Sequence, residues 1–205
     1  MTVCALPGAN LNVKPGEFPY PEFDIEAQGQ QQAVLAGGCF WCTEAVYREL
    51  AGVSDVAPGY AGGDRDSADY RKVCSGTTGH AEAIRISYAA DQLSFGTLLR
   101  VFFSVAHDPT QLNRQGNDVG PQYRSAIFAQ NPEQEEVARR YIEQLNTAKV
   151  FSSPIVTTME EGEFFPAESY HHDYAAQNPN QPYIAAVAAP KVHKVRERFG
   201  SLLRK

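Results

Sequence analysis

The chain has 205 residues, 43% hydrophobic and 20% charged, enough apolar side-chain surface to bury a core and most simply read as a single folded unit. A formal net charge of -6 with no basic block excludes electrostatic attraction to nucleic acid or to an anionic membrane as an organising theme. No apolar run approaches the roughly 20 residues that span a bilayer, and the N-terminus has no basic segment followed by an apolar stretch, so the four cysteines are expected to be reduced thiols of a cytoplasmic protein.

Residues 1–32 are rich in Pro, Gly and Gln and lack apolar periodicity, which predicts an extended arm laid on the surface. Residues 33–160 carry regular patterning and form the expected core; residues 161–205 are expected to wrap back over it and end in a helix. Ala33 to Ala36 is a short apolar run, a buried strand stopped by Gly37-Gly38, and residues 40–51 follow as a helix ended by Gly52. Val53 to Tyr60 predicts a second strand, and the Gly-rich, charged stretch 59–79 a long loop of the kind that carries function. His80 to Tyr88 alternates as a third strand. Residues 94–106 have helical spacing, 107–122 form a polar loop, and 123–129 a fourth strand. Asn131, Pro132 and Gln134 have the N-cap, first-turn proline and capping-box positions of a helix that runs to Ala148. A short strand is expected at 155–159, and Lys191 to Leu203 is a basic amphipathic stretch, read as a terminal helix docked on the body. The order strand, helix, strand, strand, helix, strand predicts an α+β two-layer sandwich on a ferredoxin-like, split βαβ core.

Three features bear on chemistry. The segment Gly37-Gly38-Cys39-Phe40-Trp41-Cys42-Thr43-Glu44 places Cys39 at a strand-to-helix turn. There, unpaired first-turn N–H groups and the positive end of the helix dipole are expected to lower its pKa and favour the thiolate. Cys42 lies one helical turn on, nearly on the same face, where thiol exchange is feasible. In the alternating run, Glu82 shares a face with Ile84, Ile86 and Tyr88. A carboxylate there is either paired with an arginine or desolvated, with a raised pKa that suits a general acid. The third is the loop from His107 to Ser125, dense in hydrogen-bonding side chains.

Four chemistries compete for these residues. Cys39, Cys42, Cys74 and His80 could be drafted as zinc ligands, although the spacing of Cys74 and His80 is wider than in structural zinc sites. A cysteine hydrolase would pair Cys39 with His80 or His107. A thioredoxin-like dithiol oxidoreductase explains Cys-x-x-Cys but leaves Glu82 without a role, and a non-enzymatic interaction domain explains none of the three features together.

Gly38 to Trp41 with Glu44, Gly59-Tyr60-Ala61-Gly62-Gly63, Val73 to Gly76 with Thr78 to Glu82, the run from His107 to Ser125, and Phe165 to Glu168 with His171 and Asn178-Pro179 occur in one order. On these motifs the chain resembles the A-type peptide methionine sulfoxide reductases, over about residues 33–199. The resemblance implies a thiol-dependent repair enzyme for oxidised proteins that reduces methionine S-sulfoxide, free or protein-bound, with no bound cofactor or metal. In that reading Cys39 attacks the sulfoxide sulfur and becomes a sulfenic acid, Glu82 protonates the departing oxygen, and Tyr70 and Tyr123 assist as donors. Asp118 orders the hydrogen bonds around the substrate, and Phe40 and Trp41 form the pocket for its methyl group. Thioredoxin or another thiol is the implied reductant and a monomer is expected. Many relatives draw a second thiol from a cysteine directly after the Tyr of a late Pro-Tyr pair; here that position is Ile184, and no cysteine follows Cys74. Cys42 is therefore the leading resolving candidate by proximity, ahead of Cys74 and Cys4, with direct reduction of the sulfenic acid by an external thiol as the alternative.

Overall fold

The computed structural model describes residues 18–205; residues 1–17, with Cys4 and that part of the expected arm, lie outside the described residues. Strand β1 (Gln30–Gly37) leads into helix α1 (Phe40–Arg48), then strand β2 (Val53–Ala61), a short helix α2 (Tyr70–Val73), strand β3 (Ala81–Ala89) and helix α3 (Phe95–Val101). Next come the two-residue strands β4 (Arg114–Gln115) and β5 (Asp118–Val119), strand β6 (Ser125–Phe128) and helix α4 (Pro132–Thr147). Strands β7 (Thr158–Met159) and β8 (Phe164–Pro166) and helices α5 (Tyr174–Gln177) and α6 (Ala189–Arg198) complete the chain.

The main sheet has the order β7-β6-β1-β3-β2-β8. All its pairings are antiparallel except β6 with β7, so the architecture is α+β with a mixed sheet. Side chains from α1, α3 and α4 share one core with the sheet face that carries Leu35, Ile84, Ile86 and Ile127. The opposite face holds a smaller cluster of Val34, Ala36, Ala81, Ala83 and Phe128 under Phe164. Because Cβ directions alternate along a strand, Glu82 points with Ile84 into the larger, helix-covered side.

The described part of the arm is pinned down. Phe18 is buried and its carbonyl accepts from Arg100, the phenol of Tyr141 donates to the Pro19 carbonyl at 2.6 Å, and Asp24 accepts from the Gly96 N–H at 3.0 Å. Its last residues, Gln30 to Gln32, extend β1 beyond the apolar run, because pairing with Ser87 to Ala89 needs only backbone groups. The first helix stops at Arg48, before the left-handed turn at Gly52, whose φ is +84°.

Elsewhere the elements are shorter or broken where polar side chains compete for the backbone. The 59–79 stretch is not all loop: the Asp69 side chain caps α2 by accepting from the Lys72 N–H. The expected helix 94–106 changes to π geometry over Phe102–Ala106, next to Ser104, whose hydroxyl donates back to the Arg100 carbonyl at 2.6 Å. The 107–122 loop contains the β4–β5 hairpin. The expected strand 155–159 shrinks to β7, and β8 was not foreseen because its three residues show no usable alternation. The terminal helix runs Ala189–Arg198 rather than 191–203, after a π turn over Ile184–Ala188. It docks on the body through buried Val195, through Lys191 donating to the Ala106 carbonyl at 2.8 Å, and through Arg196 on Glu49. No helix among the described residues is long and apolar enough to cross a membrane.

Helix α4 starts as expected, with the Asn131 side chain accepting from the Gln134 N–H at 2.8 Å. The reciprocal contact is shifted by one residue, since Gln134 accepts from Gln130 rather than from Asn131. Asn131→Ala should lower the unfolding free energy by about 1 kcal/mol, the usual worth of such a cap; a chemical-denaturation midpoint equal to wild type would deny the cap that weight.

Candidate active site

The turn between β1 and α1 demands glycine. Gly38 has a φ of +83°, and a Cβ there would sit 2.6 Å from the Gln115 side chain. The turn delivers Cys39 to the N-cap of α1, 7% exposed. From the neighbouring strand β3, Glu82 reaches the same helix start, where its Oε2 accepts from the Phe40 N–H at 3.0 Å. Among the described residues no arginine partners this carboxyl. Burial lifts it to about 8, against a lowering pull from the Phe40 N–H and further upward pushes from Asp118 and Cys42, so Glu82 holds a proton at neutral pH.

Cys39 departs from the expected thiolate. Burial first, then its hydrogen bond to Cys42 and the negative charges of Cys42 and Glu82, push its thiol well above the ordinary range, with only Tyr183 pulling it down. The cause is visible in the cap: the Cys39 side chain takes no first-turn N–H, and that of Phe40 is spent on Glu82. Cys42, 1% exposed, is instead lowered to about 7, chiefly by the hydrogen bond from Cys39, with Lys191 and Tyr183 contributing against burial.

Cys39, Phe40, Trp41, Tyr70, Glu82, Asp118 and Tyr123 line one cavity of about 220 Å³ together with Gln181 and Tyr183. That space suits a single side chain rather than a drug-sized ligand. All the residues expected at the site except Cys42 therefore meet on its wall, and Cys42 packs directly behind with Ile184 and Ala188. Burial above all raises the phenols of Tyr70 and Tyr123 far beyond neutrality, so both are donors. The ring of Phe40 is stacked with Tyr70 at 6.5 Å and that of Trp41 with Tyr174 at 4.0 Å.

Supporting contacts come from segments whose roles the sequence did not disclose. Glu168 accepts from the Tyr70 N–H at 3.0 Å and from the Tyr60 hydroxyl at 2.8 Å, and so positions α2 at the cavity edge. Trp41 Nε1 donates to His171 Nδ1 at 3.1 Å. Tyr183 donates to Asp118 Oδ2 at 2.5 Å and accepts from the Cys42 thiol at 3.8 Å. In the sequence Glu168 and His171 stood only as members of a family motif with no role attached, and Tyr183 was not singled out.

The competing chemistries find little support in this arrangement. His80 is engaged with the Gly63 N–H and the Asp64 carbonyl, and His107, with a pKa lowered to about 3 by burial, bonds Phe102 and Ser125. Neither histidine is bonded to Cys39 as a hydrolase dyad would require. Among the described residues no group of His, Cys, Asp or Glu could hold a metal ion. Cys39, Cys42 and Cys74 are free thiols, Cys74 exposed and carrying a hydrogen bond from Tyr70.

Comparison with known proteins gives the same direction. The family model described as peptide methionine sulfoxide reductase matches residues 31–202. A peptide methionine sulfoxide reductase MsrA of Deinococcus radiodurans is 54% identical over 85% of this chain and 85% of its own length, and one of Chromobacterium violaceum is 53% identical over 84% and 98%. Among solved structures, reduced Mxr1 of Saccharomyces cerevisiae superposes with a TM-score of 0.69 at 33% identity, covering 78% of this chain and 91% of that one. Methionine sulfoxide reductase A of Corynebacterium diphtheriae gives 0.63 at 32%, covering 86% and 85%. With a thiol and a protonated buried carboxyl facing one small aromatic cavity, and with family motifs along nearly the whole described length, the chain belongs to the peptide methionine sulfoxide reductase family.

Proposed function

We propose that the protein reduces methionine S-sulfoxide, in proteins or as the free amino acid, to methionine at the expense of thiols. The observation that carries this reading is the position of Glu82. It is a carboxyl held protonated by burial and pinned by the Phe40 N–H beside the thiol of Cys39. The sulfoxide oxygen needs a proton as it leaves sulfur, and the group that holds one at neutral pH lies next to the nucleophile.

The sulfur of Cys39 attacks the sulfoxide sulfur, the S–O bond breaks, and methionine is released. Glu82 supplies the oxygen's proton, and the oxygen lost from the substrate sulfur ends bonded to the sulfur of Cys39, so the sulfoxide is reduced by two electrons and Cys39 is oxidised by two, to a sulfenic acid. While Glu82 is neutral, its charge does not add to the burial and the Cys42 contact that hold Cys39 protonated, so the Cys39 thiol gives up its proton as its sulfur attacks. Tyr70 and Tyr123 donate to the oxygen, Asp118 orders the polar side of the cavity through Tyr183, and Phe40 and Trp41 receive the methyl group. Cys42 then attacks the sulfenic sulfur, forming a disulfide and releasing water; thioredoxin or another thiol restores the enzyme. Support for Cys42 is its hydrogen bond with Cys39 within one helical turn. We also read the strands β6-β1-β3-β2, antiparallel throughout, as a ferredoxin-like split βαβ core. The chain acts as a single catalytic domain, a cytoplasmic monomer.

After one turnover without reductant, mass spectrometry should find a Cys39–Cys42 disulfide in the wild type and a Cys39 sulfenic acid in Cys42→Ser. An unchanged disulfide yield in that variant would transfer the resolving role to Cys74 or Cys4. Given a racemic sulfoxide with excess dithiol, the enzyme should stop at half conversion, and consumption of both epimers would refute the stereochemical assignment.

A further inference from the structure

The step that consumes Cys42 needs a base. Cys42 is 1% exposed, behind the cavity and under Ile184 and Ala188, so bulk water is not at hand to take its proton. The charged and titratable groups around it are Cys39 on the same helix, Glu82 on β3, Asp118 on β5, Lys191 on α6 and Tyr183. Cys39 is the electrophile in this step. Glu82, held by the Phe40 N–H, meets Cys42 only as a nearby charge with no hydrogen bond to it, and Lys191 donates to the Ala106 carbonyl. Tyr183 differs, because its oxygen receives the Cys42 thiol hydrogen at 3.8 Å while its own hydrogen rests on Asp118 Oδ2 at 2.5 Å.

From this chain of contacts we infer that Tyr183 is a catalytic residue of disulfide formation, relaying the Cys42 proton to Asp118. The inference rests on Cys42 being the resolving thiol. As Cys42 sulfur bonds to Cys39 sulfur, the Cys42 proton passes to the phenol oxygen and the phenol's own proton to Asp118. The S–O bond of the sulfenic acid breaks and its oxygen departs as hydroxide. Asp118 lines the same cavity as Cys39 and returns the proton to it as water. The Cys39 sulfur, already oxidised by two electrons as sulfenic acid, and the thiol-level sulfur of Cys42 end as one disulfide, so no further oxidant is required. The position of Tyr183, directly before Ile184, fits this role. Ile184 closes the apolar cover over the thiols while the preceding side chain reaches into the site. The Tyr183 contact also favours the Cys42 thiolate, to which the phenol can only donate, the state that the relay leaves behind.

The test is single-turnover kinetics without reductant, following methionine release and disulfide formation separately in wild type and Tyr183→Phe, with mass spectrometry to locate the disulfide. The expected result at pH 7 is that Tyr183→Phe slows disulfide formation about tenfold more than it slows methionine release, as loss of roughly one pKa unit of thiol activation would do. The pH profile of disulfide formation in the variant should move upward. Equal slowing of both steps, or a Cys39–Cys42 disulfide formed at the wild-type rate, overturns the inference while leaving Cys42 as resolving thiol. A wild-type disulfide to Cys74 instead overturns both. The wild type supplies an independent measurement should the variant fold poorly: its disulfide formation should rise with pH around neutrality, and a rise confined to strongly alkaline solution overturns the relay.

Discussion

Cys39→Ser should reduce methionine release by more than about a thousandfold, because the reaction has no route that avoids attack on sulfur and a serine hydroxyl is a far weaker nucleophile than a thiolate. The substitution changes one buried atom at an N-cap that makes no side-chain cap bond. The fold and the Trp41 environment, stacked on Tyr174, should therefore survive. Circular dichroism and tryptophan emission check this. The contrast with Cys74→Ser is the control: Cys74 is exposed and reaches the site only through the Tyr70 phenol, so that variant should keep activity within about a factor of two to three of wild type, in line with an exposed substitution away from the reacting atoms. Full turnover by Cys39→Ser with protein-bound methionine sulfoxide would remove Cys39 as nucleophile and leave the cavity without a reacting group.

How far the sequence reached depends on what each residue's neighbourhood writes into the chain. Cys39 was legible because Gly37-Gly38 interrupts an apolar run just before helical spacing begins, and that turn exists. Glu82 was legible because a strand's two-residue period exposes a carboxylate on the wrong face. Tyr70, Asp118 and Tyr123 stand in or beside loops, where no period marks direction, and only the family resemblance assigned them roles. The roles of Glu168, His171 and Tyr183 depend on contacts across 98, 130 and 141 residues, which no local pattern encodes. The thiolate expected at Cys39 failed for a specific reason. The helix start does present free N–H groups, as the dipole argument supposes, but Glu82 competes for the first of them and burial removes the water that would stabilise the charge. Local helix physics was right about the donors and silent about which acceptor would take them.

Glu82→Gln carries the second large effect, and it separates chemistry from stability. Loss of a positioned general acid should slow methionine release by about 10² to 10⁴. In the wild type the acid is competent while Glu82 is protonated, so activity should fall as pH rises through about 8. Ionisation of Cys39 adds an opposing rise, and the glutamine variant should retain only the rising limb. The same carboxyl has the reverse consequence for folding. Its folded pKa, about 8, lies above the ordinary carboxylate value, so the native state holds a proton that the unfolded chain has lost. Stability due to this group is therefore fully present below the ordinary value and lost as pH rises toward about 8. Glutamine can still accept the Phe40 N–H but cannot ionise, so the stability of Glu82→Gln relative to wild type should increase by on the order of 3 kcal/mol between pH 5 and pH 8. Denaturant melts of both proteins across that range measure it. A constant difference would mean that Glu82 is ionised throughout and cannot be the acid, whatever the variant's rate. A carboxyl that destabilises the fold at working pH and is nonetheless anchored to the nucleophile's helix is placed there by chemistry rather than by packing.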